Sequence, residues 1–172
     1  MVSLVHSMKL LGVTIDKDLN FTEHVADMYQ IQVMQRHEKL SDTHTKTKLY
    51  NAYLLPHLYY CCVVWHHCGQ HNLKKLEKIK ERSLRFVFNG NDSDYMQLLD
   101  CVGQPSLFNG HVHYILTLVY KSPNGLAPEY ITNMFSPKTH GINLRTSGTH
   151  SLFIPRVNTT TYGLYSLSYH GS

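Results

Sequence analysis

The stretch from Leu73 to Phe88 constrains this chain more than any other. Leu76, Ile79, Ser83 and Phe86 recur at 3-4-3 spacing, which puts them on one face of an α-helix. Glu81 and Arg85 stand four apart and form a favourable pair on such a helix, whereas Lys74 and Lys78, like Glu77 and Glu81, repel. Asn89-Gly90-Asn91 supplies the stop, with Gly90 suited to a left-handed cap. The same segment holds six basic residues, Lys74, Lys75, Lys78, Lys80, Arg82 and Arg85, against two acids. The whole chain has a net charge of +4, so the entire surplus lies in this one helix. Concentrated in this way, the charge creates a local field that attracts polyanions.

The flanking sequence predicts more helix. Lys9 to Ile15 is short, β-branched and apolar, the pattern of a strand, and Asp16-Lys17-Asp18 makes a turn after it. Asn20 and Glu23 have helix-start spacing, which predicts a helix over Phe21 to Leu40. A second helix starts at Thr43 or Thr45 and runs to Leu55, where Pro56 should kink or end it. His57 to Cys68 is apolar and aromatic enough to continue as buried chain. Ser93 or Asp92 can cap a short helix ending near Cys101, with Gly103 just past its end. Ser106 to Tyr120 reads as another helix, Ser122-Pro123-Asn124-Gly125 as a turn, and Glu129 to Phe135 as one or two helical turns behind Pro128. Beyond Ser136, Pro, Gly, Asn, Ser and Thr dominate, and loop is expected. The fold class is therefore mainly α, with a short N-terminal strand and an irregular tail.

Composition narrows the class. The 172 residues fit one domain, and 42% hydrophobic residues allow a real core. Charged residues make up only 16%, so 13 His and 12 Tyr must carry much of the polar surface. Such a surface suggests modest solubility or a missing partner. The longest apolar stretch, Leu54 to Trp65, is broken by Pro56 and His57 and falls short of the roughly 20 residues of a membrane span. The first residues lack a signal-peptide pattern, so the four Cys are expected as reduced thiols.

Several segments together resemble one family. These are Lys9-Leu10-Leu11-Gly12-Val13-Thr14-Ile15-Asp16, then Leu19-Asn20-Phe21 with His24-Val25. Tyr50, Ala52, Leu54, Pro56, Leu58, Tyr60 and Trp65 follow. Next come Leu76-Glu77-Lys78-Ile79, Glu81-Arg82 and Leu84-Arg85-Phe86-Val87. Asn124 to Ile131 and Ile154 to Gly163 complete the order. The chain resembles the C-terminal part, from the end of the palm through the thumb and beyond, of a non-LTR (LINE-type, jockey-like) retrotransposon reverse transcriptase. The resemblance implies a palm remnant at residues 1–20, a helical thumb-like bundle at 21–135 and a tail at 136–172. It also implies an RNA-directed DNA polymerase as the parent enzyme, with Mg²⁺ as its cofactor. The expected partners are an RNA/DNA template–primer duplex and the palm and fingers domains, with no membrane and no small-molecule substrate. The family's work implies cytoplasm or nucleus.

The departures decide what such a segment can do. Polymerase chemistry needs paired aspartates holding two metal ions, and no adjacent Asp pair occurs here. Asp92 and Asp94 read as caps or loop residues. No catalytic residue and no cofactor are therefore expected in this chain. Tyr29 to Gln35 is rich in Gln where relatives carry several basic residues. The site expected is the basic helix, with Lys74, Lys75, Lys78, Lys80, Arg82 and Arg85 as phosphate contacts. Lys74, Lys78, Arg82 and Arg85 fall near one stripe, and Lys75 and Lys80 lie elsewhere.

Other groups compete with that reading. Cys62, His66, Cys68 and His71 are four ligand types in a short span, yet the paired Cys-x₂-Cys spacing of a zinc site is absent and Val63, Val64 and Trp65 between them are core-like. Cys101 has His residues elsewhere as conceivable bases but no local nucleophile signature. Trp65, Tyr59 and Tyr60 could stack on bases or form core. Arg145 and Arg156 could reach phosphates or be ordinary exposed charge. Three readings follow: a thumb-like nucleic-acid-binding segment, a helical interaction module or relic, and a Cys/His metal or thiol protein.

Overall fold

The structure, a computed structural model, describes residues 6–30, 42–90, 93–137, 152–159, 163 and 166–170. The chain is mainly helical with a two-stranded N-terminal sheet. It forms two compact units, residues 1–111 and 112–172. Within the described residues, no helix is long and apolar enough to cross a membrane.

Where one strand is expected there is a hairpin. Strand β1 (Ser7–Leu10) pairs antiparallel with β2 (Val13–Asp16), with Leu10 opposite Val13 and Ser7 opposite Asp16. Leu11 and Gly12 form the two-residue turn, both at positive φ (47° and 87°). That pair of signs defines a type I′ turn, whose twist matches the strands it joins. Leu11 is a costly residue there, and the Tyr60 hydroxyl holds the turn by donating to the Leu11 carbonyl at 2.8 Å. Asp16 then accepts from the backbone N–H groups of Asp18 and Asn20, which makes the expected turn. The hairpin belongs to the same compact unit as the helices that follow.

Helix α1 (Thr22–Gln30) starts later than expected, because Phe21 sits at φ 55° and cannot be helical. Phe21 rather than Asn20 takes the capping position, its carbonyl accepting from the Val25 N–H at 3.0 Å. The expected continuation over 31–40 lies outside the described residues. Helix α2 (Thr43–Leu49) runs into a π-helical turn (Tyr50–Leu54) and then α3 (Leu55–Tyr59). Helix therefore continues past Pro56. A proline lacks the N–H for an i−4 bond and crowds that carbonyl. Immediately before Pro56 the chain is in the wider π register, which relieves both problems.

Cys61, at φ 51°, breaks the chain before α4 (Cys62–Trp65). Helix α5 (Gln70–Phe88) is the expected amphipathic helix and the longest described. Its stop is Asn89, in the left-handed region at φ 52°, one residue before the expected Gly90. Asn is the non-glycine residue best suited to that conformation. Helix α6 (Tyr95–Val102) begins after Asp94 and ends at Gly103, and α7 (Leu107–Lys121) follows. Ser106 caps α7 by accepting the Asn109 N–H at 3.3 Å.

The first unit has one contiguous core. Val25 and Met28 of α1, Leu54 and Leu58, Trp65 of α4, Leu76, Ile79, Leu84 and Val87 of α5, and Leu98 and Leu99 of α6 share it. In the second unit the turn at 122–125 closes with a Gly125 N–H to Ser122 carbonyl bond and leads to α8 (Glu129–Thr132). Of the expected irregular tail, Pro137 bridges Leu152 and α9 (Leu167–His170) makes one turn. Residues 138–151, 160–162, 164–165 and 171–172 lie outside the described residues, and with them Arg145.

Candidate nucleic-acid interface

The buried arc of α5 determines which of its cations are exposed. Leu76, Ile79, Lys80, Ser83, Leu84 and Val87 are buried, and Asn72 joins them near the start. The opposite side carries His71, Lys74, Lys78 and Arg82, all exposed. Lys74, Lys78 and Arg82 follow at steps of four, so their Cα atoms rise about 6 Å per step along the helix. His71 extends this row by one turn.

The two acids of the helix are engaged elsewhere. Glu77 accepts from the Tyr95 hydroxyl of α6 and from the Leu107 N–H at the start of α7, the latter at 3.0 Å. A carboxylate at a helix N-terminus is stabilised by the exposed amides and the dipole there. It also raises the Tyr95 phenol, after burial, which is the larger cause. Glu81 pairs with Arg85 at 2.7 Å in the expected i, i+4 geometry. Arg85 also reaches the Gly90 carbonyl at 3.4 Å. It is half-buried and acts as a brace for the helix end more than as an outward cation.

Lys80 contradicts the expectation of a phosphate contact. Its side chain is fully buried, and Nζ donates to the Pro105 carbonyl at 2.6 Å. Burial pushes its ammonium below the usual lysine range, with Glu77 opposing. Lys75 is half-buried on the flank of the row. Of the six expected contacts, the structure therefore leaves Lys74, Lys78 and Arg82 exposed on one row, half-buries Lys75 and Arg85, and removes Lys80. Lys46 on α2, whose role the sequence did not signal, is likewise buried. Its Nζ donates to Asn89 Oδ1 at 2.8 Å and stands 4.7 Å from the centre of the Phe86 ring. It secures the cap of α5 from below.

The Cys/His group does not converge. Among the described residues, no three His, Cys, Asp or Glu side chains come together as a metal site. Cys62 and Cys68 are buried, and burial pushes both thiols up to about 11. His66 turns instead toward His111 of α7, with the two Nδ1 atoms 3.4 Å apart. His111 donates its Nε2 proton to the Leu58 carbonyl at 2.8 Å, and its ring stands edge-on to Trp65 and Tyr59. His71 is on the exposed row of α5. Cys101 is exposed.

Trp65 is entirely buried, its indole N–H donating to the Tyr60 carbonyl at 2.9 Å, so it cannot stack on a base. Tyr59 is half-buried and Tyr60 is exposed but tied to Leu11. Asp94 stands at the start of α6 without a side-chain cap bond, and Asp92 lies outside the described residues. Arg156 is exposed in the tail. Comparison with protein-family models, curated proteins and solved structures found no match for this chain.

Proposed function

We propose that this chain is a template–primer-binding, thumb-like segment of the RNA-directed DNA polymerase of a LINE-type mobile element, with no catalytic centre of its own. One observation carries the reading. On α5 the acids are withdrawn into a brace and an i, i+4 pair, while Lys74, Lys78 and Arg82 form an exposed row on the side opposite the core. A row of cations about 6 Å apart suits successive phosphates of a duplex and reads no bases. The order of family-like segments along the sequence supports the same reading. No adjacent aspartate pair is present, so the Mg²⁺ of such an enzyme would be held by carboxylates outside these residues.

The direct test is photo-crosslinking with an RNA–DNA hybrid carrying 4-thiouridine, followed by mapping of the adducts. Adducts concentrated on residues 70–88 are expected. Adducts confined to other segments, or none, would favour a helical interaction module that does not bind nucleic acid.

A further inference from the structure

The N-terminal hairpin has two edges, and only one of them is engaged. In a two-residue hairpin the closing pair, here Leu10 and Val13, exchanges both ladder bonds, and bonded and non-bonded pairs alternate from there. Met8 and Ile15 therefore bond to each other, whereas the backbone N–H and C=O groups of Ser7, Lys9, Thr14 and Asp16 point out of the ladder. The Lys17 N–H to His6 carbonyl bond, at 3.1 Å, continues the same alternation. On the β2 side α1 takes up the outward position. The Thr14 N–H donates to His24 Nδ1 at 3.4 Å, and the Thr14 hydroxyl donates to Asp27 Oδ2 at 3.3 Å. On the β1 side the outward backbone groups of Ser7 and Lys9 have no hydrogen-bond partner among the described residues.

Strand β1 is also open to solvent. Met8 and Leu10 share one face and are 57% and 51% exposed, and Lys9 is exposed on the other. A free edge of this kind is a template for one more strand. A second copy of β1 meets its geometry. Paired antiparallel about a two-fold axis through Met8, Ser7 of each copy exchanges both bonds with Lys9 of the other. Four hydrogen bonds form, and every outward group of Ser7 and Lys9 is used. An axis through Ser7 or Lys9 leaves only one bonded pair within the strands. The axis through Lys9 also sets two ammonium groups directly opposite each other, which is destabilising.

The side chains agree with the Met8 register, because directly opposed residues share a face. On one face the Ile15–Met8 pair of one copy continues into the Met8–Ile15 pair of the second, an unbroken apolar row. On the other face Thr14 and Lys9 of one copy continue into Ser7 and Asp16 of the second. Lys9 then has the small Ser7 beside it and Asp16 two strand spacings away, about 9.5 Å between Cα atoms. An extended lysine reaches over the serine to that carboxylate. Asp16 Oδ1 already accepts from the amides of Asp18 and Asn20, which leaves Oδ2 for the ammonium. The two-fold axis makes this contact twice. With β2 held by α1, each copy offers one free edge, so pairing closes at two copies.

We propose that the chain forms a two-fold dimer through β1, a four-stranded antiparallel sheet with Met8 on the axis and Lys9 of each copy paired with Asp16 of the other. The dimer stands independently of the nucleic-acid reading of α5, since no residue of α5 takes part in it.

The test is sedimentation velocity of the whole chain over a concentration series. The mass should rise from one chain toward two and stop there. Met8→Lys sets two ammonium groups across the axis and should return the chain to monomer. Its side chain is more than half exposed, so the fold should tolerate the change, which circular dichroism checks. Cross-linking reads the register and does not depend on that variant. Opposed residues of a non-bonded pair have Cα atoms about 4.5 Å apart, within the roughly 4.4–6.8 Å of a disulfide. In a Cys101→Ser chain, Met8→Cys should therefore form an intermolecular disulfide on mild oxidation. Leu10→Cys, which lies opposite His6 and not opposite itself, should not. A chain that stays monomeric throughout the series overturns the inference. So does a dimer that survives Met8→Lys, or one in which Leu10→Cys cross-links as readily as Met8→Cys, because another surface or register would then hold the copies together.

Discussion

The ammonium of Lys80 lies 2.6 Å from the carbonyl oxygen of Pro105, at the middle of the buried face of α5. A lysine so placed holds the chain between α6 and α7 to the helix, at the cost of desolvating a charge. Because its folded pKa is lowered, the unfolded state binds more protons between the folded value and the ordinary 10.5. Stability should therefore rise with pH through that alkaline window. Lys80→Met should abolish the rise and leave neutral-pH stability unchanged or higher, since a buried charge is replaced by an apolar side chain of similar length. Lys80→Ala should cost about 2 kcal/mol through the cavity it leaves. Denaturant melts at neutral and alkaline pH measure both. A Lys80→Met variant far less stable than the natural chain would show that the charge itself is required.

His111 gives the acid limb. Burial holds its imidazole below the ordinary range, the Leu58 hydrogen bond opposes and the Lys80 charge reinforces. A base whose folded pKa is depressed contributes full stability above its unfolded value, about 6.5, and loses it as pH falls toward the folded value. Protonation would also place a second N–H between His111 and His66, whose Nδ1 atoms face each other. Thermal midpoints should fall from pH 7 to pH 5. His111→Gln, which can still donate to Leu58, should flatten that fall. An equally steep fall in the variant would assign it to other groups, of which His24 is the first to examine.

Gly110 tests how tightly α7 is seated. A Cβ there would come within 2.8 Å of Tyr59 Cζ and closer still to its hydroxyl oxygen. Replacing a helical glycine with alanine ordinarily gains about 1 kcal/mol of helix propensity. Overpacking against a half-buried ring costs about 1–3 kcal/mol, so the clash should win. Gly110→Ala is expected to destabilise, and Tyr59→Phe in the same chain to restore part of the loss. A stabilised Gly110→Ala would mean that the ring moves freely.

The thiols should separate by burial. With Cys62 and Cys68 buried and pushed up to about 11, iodoacetamide at neutral pH should label Cys101 and spare both until the chain unfolds. Rapid labelling of Cys62 in the folded chain would reopen a thiol-dependent reading.

Much of this architecture is legible in the sequence because the cue is local. The extent of α5, its Glu81–Arg85 pair and the Ser106 start of α7 follow from spacing and capping alone. Lys80 could have been recognised the same way. It stands four residues after Leu76 and four before Leu84, on the apolar arc itself, and counting it by charge alone hides this. Other features depend on distant partners. Leu11 tolerates a left-handed turn because Tyr60, 49 residues away, holds its carbonyl. Pro56 sits within a helical run because the π turn before it widens the backbone, and no local residue signals that. His24 is unremarkable in sequence. It becomes notable only when Thr14 occupies one nitrogen and burial isolates the other.

The salt dependence of binding to an RNA–DNA hybrid tests the central claim most directly. Removing one cation that neutralises a phosphate should reduce the slope of log affinity against log salt by about one. The natural chain should bind with a steep slope, and Lys78→Glu/Arg82→Glu should bind more weakly with a slope reduced by about two. Lys80→Met should leave the slope unchanged, because that ammonium never reaches solvent. A slope identical in the natural chain and Lys78→Glu/Arg82→Glu would contradict a nucleic-acid interface on α5.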